Sequence, residues 1–273
     1  MPESPEVSFL AHTLHTIYAD KTLKAVSIKK GRYLRHGPPQ NFDAFVRALP
    51  AKVTSISKKG KTLFFAFDNG WTMISKLGLT GWWYSDHIPR FLNMAFMFDR
   101  NQYMFFSDSL SYGTISFTNS LREVEKELAQ LAPDILDDTT KWPVFAENVA
   151  RLSPAKQNMA LDVLLMEQGV LVSGIGNYLK AEILYDAKIA PQRKASTLTD
   201  DEWRRLFNSA KKVTTHMLKS LLRKGNPNNE GENPEYEQGL QVYKRKEDQH
   251  GNVVQSYKCK NGRTTYWVPA VQM

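Results

Sequence analysis

The stretch that decides the fold is EQGVLVSGIGN, residues Glu167–Asn177. It separates two helix-like segments, Ser153–Gln168 and Asn177–Lys188. Gly174 and Gly176 at the entrance to the second helix leave backbone N–H groups free, and such an entrance binds anions. Because the protein is basic, we expect that anion to be a nucleic-acid phosphate. The short connection should hold both helices as one rigid unit.

The charge of the chain favours a phosphate-binding function, and its cysteine content limits the kinds of site it can contain. Lys and Arg total 36 and Asp and Glu total 28, which gives a formal net charge of +8. Eleven of the basic residues lie between Lys21 and Lys61, where Asp43 is the one acid. Residues 151–273 hold another nineteen, and two basic regions facing one groove would bind phosphates. The single cysteine, Cys259, excludes a disulfide framework and a four-cysteine zinc site. No apolar run reaches membrane-spanning length, so we expect no membrane partner.

The first part of the chain predicts a β-rich domain. Ser4-Pro5-Glu6 is a typical helix start, and the apolar spacing continues that helix to about Tyr18. Short β-rich runs with hairpin turns then predict a sandwich or a barrel. These runs are Leu23–Lys30, Lys52–Lys58, Thr62–Phe67, Thr72–Leu77, Ala95–Phe98, Met104–Ser107 and Gly113–Phe117. A helix over Leu121–Leu131 follows, and residues 132–152 are predicted to be a linker.

The remaining chain predicts a helical domain that ends in a basic hairpin. A capping box at Thr199 starts a helix that continues to about Arg223. Asn226–Gly239 is predicted to be a mobile loop. Three β-like runs follow, with a two-residue turn at Asn261-Gly262. The tip of this hairpin is basic. It could enter a DNA groove, or the hairpin could simply be exposed to solvent. The β-like runs are Leu240–Tyr243, Val253–Lys260 and Arg263–Val268.

Four separated motifs, in this order and spacing, resemble the formamidopyrimidine/endonuclease VIII family of DNA glycosylases with AP-lyase activity. They are MPESPEV from Met1, KLGLTG from Lys76, GIGN from Gly174 and GRTTY from Gly262. The resemblance covers nearly the whole chain. It implies an α+β protein with an N-terminal antiparallel β-sandwich over residues 1–131. It also implies a helix–two-turn–helix domain over residues 153–273, with a β-hairpin finger at about 240–273.

The finger departs from the pattern of most family members, which bind zinc through four cysteines. This chain has one cysteine, so it resembles the branch with a metal-free finger, found in some eukaryotic and giant-virus endonuclease VIII-like enzymes. The resemblance therefore implies neither a metal nor an organic cofactor.

The resemblance gives three residues catalytic roles. Once Met1 is removed, Pro2 presents a secondary amine that can attack the sugar C1′. The iminium that forms opens the way to β-elimination and then δ-elimination. Glu3 can protonate the ring oxygen and carry protons. Lys61 is the lysine that grips a phosphate beside the lesion and assists catalysis.

Further positions match the family's DNA-contacting residues. Lys76, Asn177 and Arg263 are expected to bind phosphates, although Lys76 replaces the usual histidine. Void-filling residues, which occupy the space of an extruded base, and lesion-side candidates also follow from the resemblance. The void-filling residues are Leu79, Leu110 and Tyr112, with Leu110 in the place of an arginine; the lesion-side candidates are Glu6 and Glu182. Ser4 replaces a usual glycine.

The sequence therefore predicts a monomeric, intracellular base excision repair enzyme that acts on damaged duplex or single-stranded DNA, in a nucleus, nucleoid or viral factory. The main alternative is a non-catalytic DNA-binding protein on the same scaffold. A dinucleotide-binding oxidoreductase is a weak alternative, because Leu179 occupies the third glycine position. An RNA-binding protein would leave Pro2, Glu3 and the Arg263 hairpin unexplained.

Overall fold

The computed structural model describes residues 2–225 and 239–273, so most of the predicted loop Asn226–Gly239 lies outside the described residues. The chain divides into two compact units. Among the described residues, the first unit contains Pro2 and Glu6–Ala129. The second contains Glu3–Pro5 and the chain from Gln130 onward.

The first unit is built on a β-sandwich, as predicted. Its strands form one antiparallel sheet in the order β5-β7-β6-β1-β2-β3-β4-β8. Trp83 of the end strand β5 packs against Phe65 of β3, with ring centroids 5.2 Å apart, and its indole N–H donates to Ser75 of β4. The sheet therefore folds back on itself around an aromatic core. Its elements are α1 (Ser4–Tyr18), β1 (Thr22–Ile28), α2 (Arg32–Arg35), α3 (Phe42–Arg47), β2 (Ala51–Lys59), β3 (Thr62–Phe67), β4 (Thr72–Lys76), β5 (Trp82–Tyr84), β6 (Leu92–Phe98), β7 (Tyr103–Ser107), β8 (Thr114–Thr118) and α4 (Leu121–Ala129).

The second unit is mostly helical. Apart from Glu3–Pro5 it begins at Gln130, so it includes residues 132–152, which were predicted to be a linker. Its elements are α5 (Trp142–Ala150), α6 (Pro154–Gln157), α7 (Leu161–Leu164), α8 (Asn177–Asp186), α9 (Asp200–Lys224), β9 (Gln255–Lys258) and β10 (Thr264–Trp267). Helix α5 falls inside residues 132–152, and its Phe145 is buried against Trp203 and Phe207 of α9. This part of the expected linker is therefore packed core.

The single helix predicted over Ser153–Gln168 is wrong. The chain forms α6 and α7 with a break at Ala160, which is extended at φ −67° and ψ 145°. The break has a tertiary cause, because Ala160 forms a β-bridge with Lys194. The flanking amide of Leu161 donates to the carbonyl of Arg193. The capping box at Thr199 is confirmed, with Glu202 completing it.

The C-terminal hairpin has a different turn from the one predicted. Strands β9 and β10 pair from Gln255↔Trp267 to Lys258↔Thr264. The Arg263 N–H donates to the side chain of Asn261, and Gly262 is left-handed at φ +77°. The loop is therefore longer than the two-residue turn at Asn261-Gly262. The prediction of a strand over Leu240–Tyr243 is also wrong. The backbone N–H groups of residues 241–243 donate to the side-chain carboxylate of Glu182 and not to a neighbouring strand.

Candidate active site

Helix α8 is the centre of the second unit. Its residues from Asn177 to Tyr185 are all buried, which is expected for a core helix. Besides two tyrosines, three of them nevertheless carry amide or ionisable side chains: Asn177, Lys180 and Glu182. Buried polar groups require partners, so the surroundings of these side chains define the candidate site.

The N-terminus of α8 holds the carboxylate of Glu3. One oxygen accepts from the N–H of Tyr178 at 2.9 Å, and the other accepts from Gly176 at 2.7 Å and Leu179 at 3.2 Å. Glu3 is fully buried. The expectation that a nucleic-acid phosphate occupies these N–H groups is therefore wrong. The anion is an internal carboxylate, which these N–H groups and the helix dipole stabilise.

Gly174 and Gly176 provide space for the N-terminal segment. A Cβ at Gly176 would lie 2.3 Å from the Glu3 carboxyl carbon. A Cβ at Gly174 would lie 2.6 Å from that of Ser4, and Gly174 also has φ +102°. The Ser4 N–H donates to the Gly174 carbonyl at 3.0 Å, and its hydroxyl donates to Asp134 at 3.3 Å. Serine is thus accommodated where the family usually has glycine.

Pro2 and Glu6 flank this arrangement in the sequence. Pro2 is half-buried and precedes Glu3 directly, so the fixed Glu3 restricts where the proline can lie. Glu6 lies in the first turn of α1 and is 1% exposed. Both positions remain predictions as functional residues.

The structure brings the finger hairpin to the same end of α8. The side-chain amide of Asn177 donates to the carbonyl of Thr264 at 3.2 Å, while its buried oxygen has no hydrogen-bond partner among the described residues. Arg263, next to Thr264 in the chain, is exposed. Glu3, Asn177 and the backbone beside Arg263 therefore converge on one helix terminus.

Glu182 lies one turn further along α8 and organises the chain that leads into the hairpin. Its carboxylate accepts from the N–H groups of Gln241, Val242 and Tyr243 at 2.8–3.0 Å. Burial raises the pKa of Glu182, and these N–H groups oppose that rise. The carboxylate is 3% exposed and holds residues 241–243 in place, and its role on the lesion side remains a prediction.

Apolar packing and hydrogen bonds tie the finger to α8. Val242 and Val268 pack with Ala181 and Tyr185 in a small buried cluster. Beside it, Asp248 accepts from the Tyr185 hydroxyl, the Asn252 N–H and side-chain amide, and the His250 N–H, each at 2.9 Å. Within the described ranges there is no group of three or more His, Cys, Asp or Glu side chains that could hold an ion. These residues do not fit the zinc that most family members bind.

The first unit joins the two loops that carry the predicted void-filling residues. Thr80 donates through its hydroxyl to Asp108 and accepts from the N–H of Leu110 at 3.1 Å. Asp108 also accepts from the N–H of Gly113 at 2.6 Å. A Cβ at Gly78 would lie 2.8 Å from this second loop's backbone. The loops therefore form one platform, which presents Leu110 at 54% exposure, Tyr112 at 63% and a half-buried Leu79.

The two predicted phosphate-binding lysines of the first unit have different surroundings. Lys61 lies at the turn between β2 and β3 and is half-buried. Lys76, at the end of β4, forms an ion pair of 2.7 Å with Glu127 of α4. Lys76 and Glu127 line a cavity of about 370 Å³ together with Arg32 and His36. Glu127 was missed by sequence reasoning, because nothing in the local sequence links it to Lys76.

Comparison with known proteins matches nearly the whole chain to the domains of one protein family. The profiles of the formamidopyrimidine-DNA glycosylase N-terminal, H2TH and C-terminal domains match residues 1–115, 131–224 and 228–273. A formamidopyrimidine-DNA glycosylase of Listeria monocytogenes is 28% identical over 283 residues, with 100% of both chains covered.

Solved structures of this group share the fold. The Lactococcus lactis glycosylase, bound non-covalently to DNA containing an AP site, matches at 22% identity with a TM-score of 0.81, covering 99% of each chain. The Thermus thermophilus protein matches at 24% identity with a TM-score of 0.81, covering 99% of this chain and 98% of that one. In the described part of this chain, every helix is too short or too polar to span a bilayer.

Proposed function

The chain belongs to the formamidopyrimidine-DNA glycosylase family, and we propose that it is a bifunctional enzyme that excises oxidised bases and then cleaves the abasic strand. Family membership makes it a DNA glycosylase of base excision repair. The AP-lyase step, the residue roles and the lesion class are the proposal. The observation that carries it is the Glu3 carboxylate, fixed at the N-terminus of α8 directly beside Pro2 in the chain.

The chemistry begins at Pro2. After removal of Met1, the proline nitrogen donates its lone pair to C1′, and the damaged base departs with the glycosidic electron pair. Opening of the sugar ring gives an iminium, which acidifies the C2′ hydrogens. Loss of a C2′ proton expels the 3′ phosphate in β-elimination, and δ-elimination then releases the 5′ phosphate.

Glu3 serves as the proton carrier. The three backbone N–H groups that donate to the Glu3 carboxylate hold it in one orientation, as efficient proton transfer requires. Glu3 would protonate the ring oxygen during opening and carry protons during elimination. Ser4, which replaces the family's usual glycine, is compatible with catalysis, because its buried hydroxyl donates a hydrogen bond to Asp134.

The remaining candidates would bind and deform the DNA. We assign phosphate contacts to Lys61, Lys76, Asn177 and Arg263. Leu79, Leu110 and Tyr112 would fill the space left by an extruded base. Leu110 cannot donate a hydrogen bond to the base left opposite, so we expect weak discrimination among opposite bases. Similar cleavage with all four opposite bases is the expected result.

We further propose that the protein is a monomer with a metal-free finger. Oxidised pyrimidines, hydantoins and ring-opened purines are the candidate lesions. A nicking assay over defined lesions in single- and double-stranded DNA would identify the preferred substrate.

Borohydride trapping on an abasic oligonucleotide tests the proposal. The native enzyme should form a covalent adduct, whereas Pro2→Gly or an N-terminal tag should lower its yield at least 100-fold. DNA binding without an adduct from the native enzyme would instead support the non-catalytic alternative. Gly239→Ala serves as the control for expression and purification, because a methyl group there meets no described residue within 4 Å.

A further inference from the structure

One buried pair of reactive groups has no role in the proposed chemistry. Lys180 of α8 is fully buried, and its amine lies 3.7 Å from the sulfur of Cys259. Within the described chain, that sulfur is the only hydrogen-bond partner of the amine, and no carboxylate lies within the 4.0 Å of an ion pair. A buried ammonium paired only with a thiol is poorly compensated for its lost hydration.

The surroundings increase the fraction of Lys180 that is neutral and nucleophilic. Burial lowers the pKa of Lys180, and the nearby Cys259, Asp162 and Glu3 only partly oppose this effect. A larger fraction of the amine is therefore unprotonated near neutral pH than for an exposed lysine. A desolvated neutral amine is a competent nucleophile.

The hairpin holds the sulfur in place. The Cys259 sulfur lies 2.8 Å from the side-chain oxygen of Asn261 and 3.0 Å from the Arg263 carbonyl. On the strands to either side, the hydroxyls of Tyr257 and Thr265 each donate to the buried carboxylate of Asp162 at 2.7 Å. These contacts fix both strands of the hairpin, so the thiol and the amine are held as neighbours.

We propose that Lys180 and Cys259 form an oxidative cross-linking site that ties the finger hairpin to α8. Hydrogen peroxide is the oxidant. The Cys259 thiol attacks one peroxide oxygen, giving a sulfenic acid and one water. The lysine nitrogen then attacks the sulfur and expels the sulfenic oxygen as a second water, which forms an S–N bond. Sulfur is oxidised, peroxide is reduced, and the protein loses two hydrogen atoms overall.

The bond would keep the sulfur on the reversible part of the oxidation series. A sulfenic acid without a neighbouring nucleophile proceeds to irreversible sulfinic acid, whereas an S–N bond is reduced by thiols. The flexible lysine side chain can close the remaining gap, since its amine is carried on a four-carbon stem. The cross-link would thus protect the hairpin that carries Arg263.

Peptide mapping of the full-length protein after peroxide treatment tests this proposal. Because nine methionines also gain oxygen, the readout is the peptide pair joined through Lys180 and Cys259, not the intact mass. The wild type should yield that pair, lighter than the sum of its peptides by two hydrogen atoms, and dithiothreitol should release it. Cys259→Ser should not form it.

Lys180→Arg is the matched variant, because it keeps a cation at the position. It should lose the cross-link and gain at least ten-fold more dimedone labelling at Cys259, because its sulfenic acid is no longer consumed. Equal dimedone labelling of wild type and variant would overturn the proposal. So would a wild-type Cys259 that gains oxygen atoms or stays unmodified under peroxide. None of these readouts depends on glycosylase activity.

Discussion

At the scale of single residues, the site depends on the absence of a side chain at position 176. Gly176 has φ −126° and ψ −153°, which any residue can adopt. Its importance is therefore spatial, since a Cβ would lie 2.3 Å from the Glu3 carboxyl carbon. Glycine here permits the carboxylate to reach the start of α8.

Gly176→Ala should therefore displace Glu3 without straining the backbone. We expect single-turnover base excision to fall about 100-fold, because misplacement of a catalytic group by an ångström has effects of that size. Single-turnover kinetics on a lesion-containing duplex measures this. Gly239→Ala, with no described residue within 4 Å, should retain wild-type rates, and equal rates for both variants would contradict the placement of Glu3.

The sequence predicted an anion site at this terminus but not the identity of the anion. The glycine pattern shows that N–H groups are free. The carboxylate that fills them lies 173 residues away from Gly176 in the chain. Local patterns carry no information on such a contact. The same limit applies to Lys180 and Cys259, which are 79 residues apart.

At the scale of elements, α4 restrains the basic surface of the first unit. Glu127 pairs with Lys76, and the carbonyl of Leu128 accepts from the amine of Lys59 at 2.9 Å. One helix end therefore engages two lysines. A phosphate that binds Lys76 must compete with the Glu127 carboxylate.

Glu127→Gln should raise DNA affinity by a factor of about 1.4 to 5, because an ion pair near the surface contributes about 0.2–1 kcal/mol. The dependence of log affinity on log salt should also become steeper by about one unit, since Lys76 becomes available to a phosphate. Fluorescence anisotropy at several salt concentrations measures both quantities.

Glu125→Gln is the control, because it removes the same charge from an exposed position of the same helix. Equal gains in the two variants would mean that net charge, and not the Lys76–Glu127 pair, limits binding.

The packing of the finger against α8 depends on Asp248. Burial acts to raise the pKa of Asp248, but hydrogen bonds from Asn252, His250 and Tyr185 prevail and lower it to about 2. Its stabilising effect is therefore present above the usual value of 3.8 and is lost as the pH falls toward 2.

Asp248→Asn should lower the melting temperature at pH 7 by a few degrees, and the difference from wild type should shrink as the pH approaches 2. Scanning calorimetry over this pH range provides the measurement. Glu247→Gln changes an exposed neighbour and should have no effect at either pH. A difference that persists unchanged at low pH would show that charge is not the cause.

Element prediction succeeded where composition and turn signals were local. The runs that became β1–β4 and β6–β8 are short and β-rich, and they are confirmed, as is the capped helix α9. Strand β5 was missed because it is only three residues long. The break before α7 depends on pairing with Lys194, which lies 34 residues away, so no local pattern could reveal it.

At the scale of the whole molecule, the order of the motifs predicted the family and the α+β architecture. The stretch predicted to be a linker was the main error at this scale. Helix α5 lies within it, and Phe145 packs into the core of the second unit. Prolines and acidic residues made that stretch resemble a loop, while its burial depends on α9.

The single cysteine and the hydrogen bonds around Asp248 predict that activity does not require a metal. Prolonged dialysis against a strong chelator should leave the nicking rate and the melting temperature within experimental error of the untreated protein. A loss of either that added zinc restores would contradict the metal-free finger.

The central claim is that the amine of Pro2 forms the covalent bond to the sugar. Mapping the borohydride-reduced adduct by peptide mass spectrometry tests it most directly. The account predicts that the trapped sugar is attached to the N-terminal nitrogen of the peptide that begins at Pro2. Attachment to the side chain of Lys61 or of any other lysine would contradict it.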